Sequence, residues 1–191
     1  MRLADELGLL ILVLSMGAQI TLRSFLVRYL KFIWILSVLV IFGITLYFTY
    51  QQYAAWASGP PGKFLLPPYQ GIWYFFSYAG SRIFGPPLIA LLAAIVLSNV
   101  AEKLNIRYGE RFFEKEEVRF FALGILLTGY PGFLFYIVFI LIFELLFSAY
   151  YRFFSSEKRA PLYFAWFPLA IFAILVKNWL FPKNFLALFN L

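Results

Sequence analysis

Polar residues in this chain come in clusters, and between the clusters run long stretches without a charge. Leu7–Leu22 is charge-free over 16 residues, and Phe32 opens a run with no charge before Lys63. Ile83–Ala101 adds 19 residues and Phe120–Phe143 adds 24. Glu144 alone separates the latter from further apolar sequence reaching Tyr151, and Ala160–Val176 adds 17 more. A helix that crosses the hydrocarbon layer needs about 20 apolar residues, with about 17 as the lower limit. The pattern therefore predicts membrane-spanning helices.

The segment from Phe120 to Tyr151 is too long for one ordinary span, and Gly129-Tyr130-Pro131-Gly132 interrupts it. Gly and Pro together are the strongest local turn signal. A short helix ending near Thr128 and a longer one from about Phe133 are expected. The expected spans are then about 7–22, 32–50, 83–101, 119–129, 133–151 and 161–179. They make one integral membrane domain, 1–191, an all-α bundle of about six helices. The count falls to five if Leu7–Leu22 only dips into the interface. An export signal is the other reading of that first run, but Arg2 faces Asp5 and Glu6 there, without the usual positive leader.

The connection over 51–81 is not an ordinary polar loop. Pro60, Pro61, Pro67 and Pro68 forbid a continuous helix. Trp56, Tyr69, Trp73, Tyr74, Phe75, Phe76 and Tyr78 suit the headgroup layer. An interfacial segment lying on the membrane is expected, with a ligand-binding lid as the sharper alternative.

Composition strengthens the membrane reading. Hydrophobic residues are 63% of the 191 positions and charged residues 13%, against about 45–50% and 25% in globular domains. Such a chain could not cover its surface with polar groups in water, so the lipid bilayer is its first partner. Charge then sets orientation. Arg23, Arg28 and Lys31, then Lys103, Arg107, Arg111, Lys115 and Arg119, then Arg152, Lys158 and Arg159 fall on one side of a six-helix count. Those are eleven of the 16 Lys and Arg; Arg2, Lys63, Arg82, Lys177 and Lys183 fall on the other. The richer side is expected to be cytoplasmic, which places both termini outside. Because the cations sit at span ends, the net charge of +7 gives no reason to expect a nucleic-acid partner.

Candidate chemistry is sparse. The chain has neither Cys nor His, which removes disulfides, thiol nucleophiles, imidazole metal sites and imidazole-dependent triads. No cofactor or metal is expected. Of nine acids only Asp5 is an aspartate. Glu144 stands inside an apolar run, where a charge costs about 2.5–3.5 kcal/mol on insertion scales. It is read as a structural acid that snorkels or pairs, with a proton-carrying or substrate-contacting role as the alternative. The run Glu114-Lys115-Glu116-Glu117-Val118-Arg119 precedes the fourth helix, where acids complement the helix dipole.

From Glu117 the sequence E-V-R-F-F-A-L-G-I-L-L-T-G-Y-P-G resembles a stretch of the type IV prepilin peptidases, in which a GxGD motif leads into D-V-K-L-L-A-x-L-G-x-x-L-G. Arg159-Ala160-Pro161-Leu162-Tyr163-Phe164-Ala165-Trp166-Phe167-Pro168 is similar to the opening of that family's last helix, and Ile20-Thr21-Leu22-Arg23 to its I-D-L-R. The resemblance implies a six-helix intramembrane aspartic peptidase, with catalytic aspartates at the cytoplasmic ends of the first and fourth helices. It puts Thr21 at the first of those positions and Glu117 at the second. No GxG precedes Glu117, and one position is missing between the Ala and the Leu-Gly. A threonine cannot act as a carboxylate, so the dyad is absent as written.

The expectation is a non-catalytic multi-pass protein of the inner or plasma membrane, resembling a degenerate prepilin peptidase and acting through helix packing or contact with a membrane-protein or prepilin-like partner. The alternatives are an active carboxylate endopeptidase using Glu117, with Glu144 as a second acid, and a small transporter component using Glu144. Thr21, Glu117 and Glu144 are the candidate site residues.

Overall fold

A backbone surrounded by lipid must satisfy its own hydrogen bonds, which leaves helices as the simplest solution. The computed structural model describes residues 2–109, 113–154 and 163–180; among these, 87% are helical and none lies in a strand. The elements are α1 (Arg2–Thr21), α2 (Arg23–Ala57), a 3-10 turn (Gly62–Leu65), α3 (Ile72–Ala79), a π turn (Gly80–Phe84), α4 (Gly85–Arg107), α5 (Lys115–Thr128), α6 (Gly132–Phe154) and α7 (Trp166–Leu180). Because α3, the π turn and α4 form one continuous rod, Ile72–Arg107, the described residues make six rods. Arg111, Lys158, Arg159, Lys183 and the rest of 159–162 lie outside the described residues, as do the side chains of Arg2, Lys115 and Arg152.

Four rods are long and apolar enough to cross a membrane: Leu3–Thr21, Arg23–Ala57, Ile72–Arg107 and Gly132–Tyr150. The other two, α5 with 14 residues and α7 with 15, rise about 21–22 Å, short of a hydrocarbon layer of about 30 Å. Short helices are tolerated at membrane depth where protein, not lipid, surrounds their ends. That is the case for α5, which touches α1, α2, α4, α6 and α7. Phe120, Leu123, Ile125, Leu126 and Leu127 of α5 are buried in one core with Phe167, Ala170, Ala173 and Ile174 of α7, and Phe120 packs on Phe167 (5.1 Å between centroids). By contrast α2 exposes Leu36, Leu39 and Leu46, an apolar surface suited to lipid contact.

Glycine permits two of the closest approaches. A Cβ at Gly8 would lie 2.8 Å from the carbonyl oxygen of Leu127, so α1 and α5 meet backbone to backbone, as small residues allow in membrane bundles. At Gly124 a Cβ would collide with the Tyr136 ring and hydroxyl, which lets α6 lie tight against α5.

Two connections differ from expectation. Arg23, Arg28 and Lys31 form no loop: α1 passes into α2 through Leu22 alone (φ −134°, ψ 50°), and the three cations ride on the first turns of α2. Nothing between Arg23 and Lys31 breaks a helix, since the segment has neither Gly nor Pro. The stretch 51–81 is also largely helical, because Gln51–Ala57 completes α2 and Ile72 opens α3. The prolines occupy only the bend between them. Around that bend Trp56 packs on Tyr78 (4.9 Å between centroids) and Phe75 (5.4 Å), and Tyr53 meets Phe75 edge-on (5.3 Å). Leu66, Phe75 and Ala79 form a small separate core.

The rods place the end of α1 and the starts of α2, α5 and α7 together, at a cation-rich end. The start of α1, the end of α5 and the end of α7 gather at the far end.

Candidate functional site

At the cation-rich end, α1 stops at Thr21, whose exposed hydroxyl donates to the Gly17 carbonyl of its own helix (2.8 Å). Two residues on, the Arg23 guanidinium lies 3.5 Å from Glu114 Oε2 and 4.3 Å over the ring of Tyr163. Gln19 Nε2 donates to the Tyr163 carbonyl. The end of α1, the start of α5 and the approach to α7 therefore meet at one place. These are the three segments on which the family resemblance rests.

Glu117 is 4% exposed at the third position of α5. Its Oε2 accepts the Glu114 backbone N–H (2.8 Å), and the Glu114 side chain accepts the Glu117 N–H in return. This reciprocal box closes two of the donors that every helix start leaves open. The residues before it are held as well: the Asn105 side chain donates to the Phe113 carbonyl (2.7 Å) and accepts its N–H (3.0 Å). Glu144 is half-buried on α6, and among the described residues no hydrogen bond or ion pair joins it to Thr21 or Glu117.

Carboxylate proteolysis needs two acids sharing one proton about a water. The fold brings together the helix ends that carry Thr21 and Glu117, but Thr21 supplies no carboxylate and Glu117 is engaged in a helix cap. No group of three or more acids that could hold a metal ion occurs among the described residues.

The far end holds a cluster that the charge pattern hides. Lys177 Nζ lies 2.6 Å from Asp5 Oδ1, with only 4% and 19% of the two side chains exposed. The same ammonium donates to the Thr128 carbonyl (3.4 Å). Thr128 is the last residue of α5, and Gly129 leaves the helix at φ +62°. Lys177 therefore caps the carboxyl end of a helix that stops inside the bundle, where a cation is favoured by the dipole. Asp5 neutralises that buried cation. Gly132 gives the stem room, since a Cβ there would lie 3.1 Å from Lys177 Cδ.

In sequence both residues read as ordinary end charges. The available signals were that Lys177 interrupts the apolar run Trp166–Leu180 and that Asp5 is the sole aspartate of the chain. No family model, curated protein or solved structure matches this chain.

Proposed function

We propose that this chain is a multi-pass protein of the inner or plasma membrane that acts by contact with a membrane-protein or prepilin-like partner, without hydrolysis. In this reading the cation-rich end is cytoplasmic, both termini lie outside, and the scaffold is that of a degenerate prepilin peptidase. The observation that carries it is the engagement of Glu117. The carboxylate at the second aspartate position is buried and bonded to a backbone N–H, and its counterpart on α1 is an exposed threonine. What remains at that end is a clamp of three helix ends, held by Arg23, Glu114 and Tyr163, a surface for holding a partner.

Incubating the purified protein with a prepilin-like substrate tests the reading. The expected result is no cleavage. Cleavage that disappears in Glu117→Gln overturns it in favour of a carboxylate peptidase.

A further inference from the structure

A cleft of about 550 Å³ opens between α1, α2, the π turn with the start of α4, and the end of α5. That volume is within the range of small-molecule sites, about 300–1,000 Å³. Its lining on α2 runs from Ile41 to Ala55, about 21 Å along the axis, so the cleft is elongated parallel to the long helices. Ile41, Ile44, Ala90 and Leu126 wall one part, while Gln51 and Arg82 line another.

Arg82 is the unexplained group. Phe84 packs on Phe42 (6.5 Å between centroids), which sets the backbone of Arg82 alongside α2 before its end, and its side chain shares the cleft with Gln51 and Tyr78. A cation at such a depth is costly and ordinarily faces a partner inside the bundle. Among the described residues Arg82 joins neither ion pair, and its Nη1 is closed off from solvent with no hydrogen-bond partner. Among the described residues the only acid lining the cleft is Asp5, which is already neutralised by Lys177. Arg82 thus leaves the cleft with an uncompensated positive charge. It also sits on the π turn Gly80–Phe84, a rare distortion that recurs at functional sites.

We propose that the cleft binds a membrane lipid with an anionic phosphate headgroup. The phosphate engages the Arg82 guanidinium, and one acyl chain lies along Ile41, Ile44 and Leu126. The fork of a guanidinium matches phosphate oxygens in pairs, and the apolar wall continues in the direction a chain takes in a bilayer. A free anion would leave that wall empty, and an uncharged lipid would leave Arg82 unmatched.

The test is native mass spectrometry of the purified protein in mild detergent, with equimolar phosphatidylglycerol and diacylglycerol of identical chains, the second lacking the phosphate. One phosphatidylglycerol is expected to be retained with about tenfold preference, the scale of one charge-assisted contact. Arg82→Gln should abolish the preference and Arg82→Lys should keep part of it. Ile44→Trp, which fills the apolar wall and leaves Arg82 in place, should expel both lipids. Lys31→Gln with Arg119→Gln, exposed cations near the other end, should change nothing. The proposal is overturned by equal retention of the two lipids or by a preference that survives Arg82→Gln. A preference that follows Lys31 and Arg119 also overturns it, as does displacement of the lipid by millimolar inorganic phosphate. If Arg82→Gln does not fold, the Ile44→Trp and Arg82→Lys results decide the matter.

Discussion

At the cation-rich end, Arg23 and Glu114 stand 3.5 Å apart with 60% and 47% of their side chains exposed, whereas at the far end Lys177 and Asp5 close to 2.6 Å with 4% and 19% exposed. The first pair sits in high dielectric, where its attraction is weak and screened. In the second Lys177 has lost nearly all its water, so its charge depends on Asp5 and on the Thr128 carbonyl. Charge in this molecule is therefore peripheral at one end and architectural at the other. Where the sequence is crowded with charge, single charges matter little. Where it is nearly bare, two charges hold the end of the central helix.

The sharpest way to break this contrast is to remove one partner of each pair. Lys177→Met should cost about 3 kcal/mol, the low end for a broken buried pair because Asp5 is only partly buried, as measured by unfolding in mixed detergent micelles. Adding Asp5→Asn should recover part of that loss. If Lys177→Met unfolds no more readily than Arg23→Ala, the contrast fails.

Glycines on a single helix extend the comparison. Gly8→Ala should cost about 1–3 kcal/mol by overpacking, since its Cβ meets the Leu127 carbonyl at 2.8 Å. Gly17→Ala, nearer the cation-rich end of α1, meets nothing within 4 Å and should stabilise by up to about 1 kcal/mol. Equal effects in the same unfolding assay would show that the α1–α5 crossing is looser than described.

The cap and the exposed pair complete the series. Glu117→Ala should destabilise by about 1 kcal/mol, the usual scale of a lost helix cap, with faster amide exchange confined to the first turn of α5. Arg23→Ala should cost about 1 kcal/mol or less, and added salt should shrink the difference. A salt-insensitive loss larger than that of Glu117→Ala would move Arg23 into the architectural class.

The breaks between helices were legible where a residue type enforces them. Gly129-Tyr130-Pro131-Gly132 separates α5 from α6, because Gly129 takes a positive φ and proline cannot continue a helix. Charge clusters misled where they were read as loops. Arg23, Arg28 and Lys31 are as comfortable on the first turns of α2 as between helices, since long cationic side chains reach polar surroundings from a helix. The Pro-rich stretch was legible at its bend but not in its packing, because Trp56 meets Phe75 and Tyr78 only once α2 and α3 fold back on each other.

By itself the sequence determined the helical class, the places of the main apolar segments and the crowding of cations between them, because each depends on local composition and spacing. Tertiary structure decided which polar residues are consequential. Asp5 and Lys177 are 172 positions apart, and no pattern within either helix reveals that they meet. Glu117 has the residue type of an active acid, yet its position at the start of α5 turns it into a cap. Arg82 looked like a boundary charge until the packing of Phe84 on Phe42 placed it in a cleft. The reason is the same in each case: a charge acquires its energetic weight from the water it loses, and burial is settled only by how the helices pack.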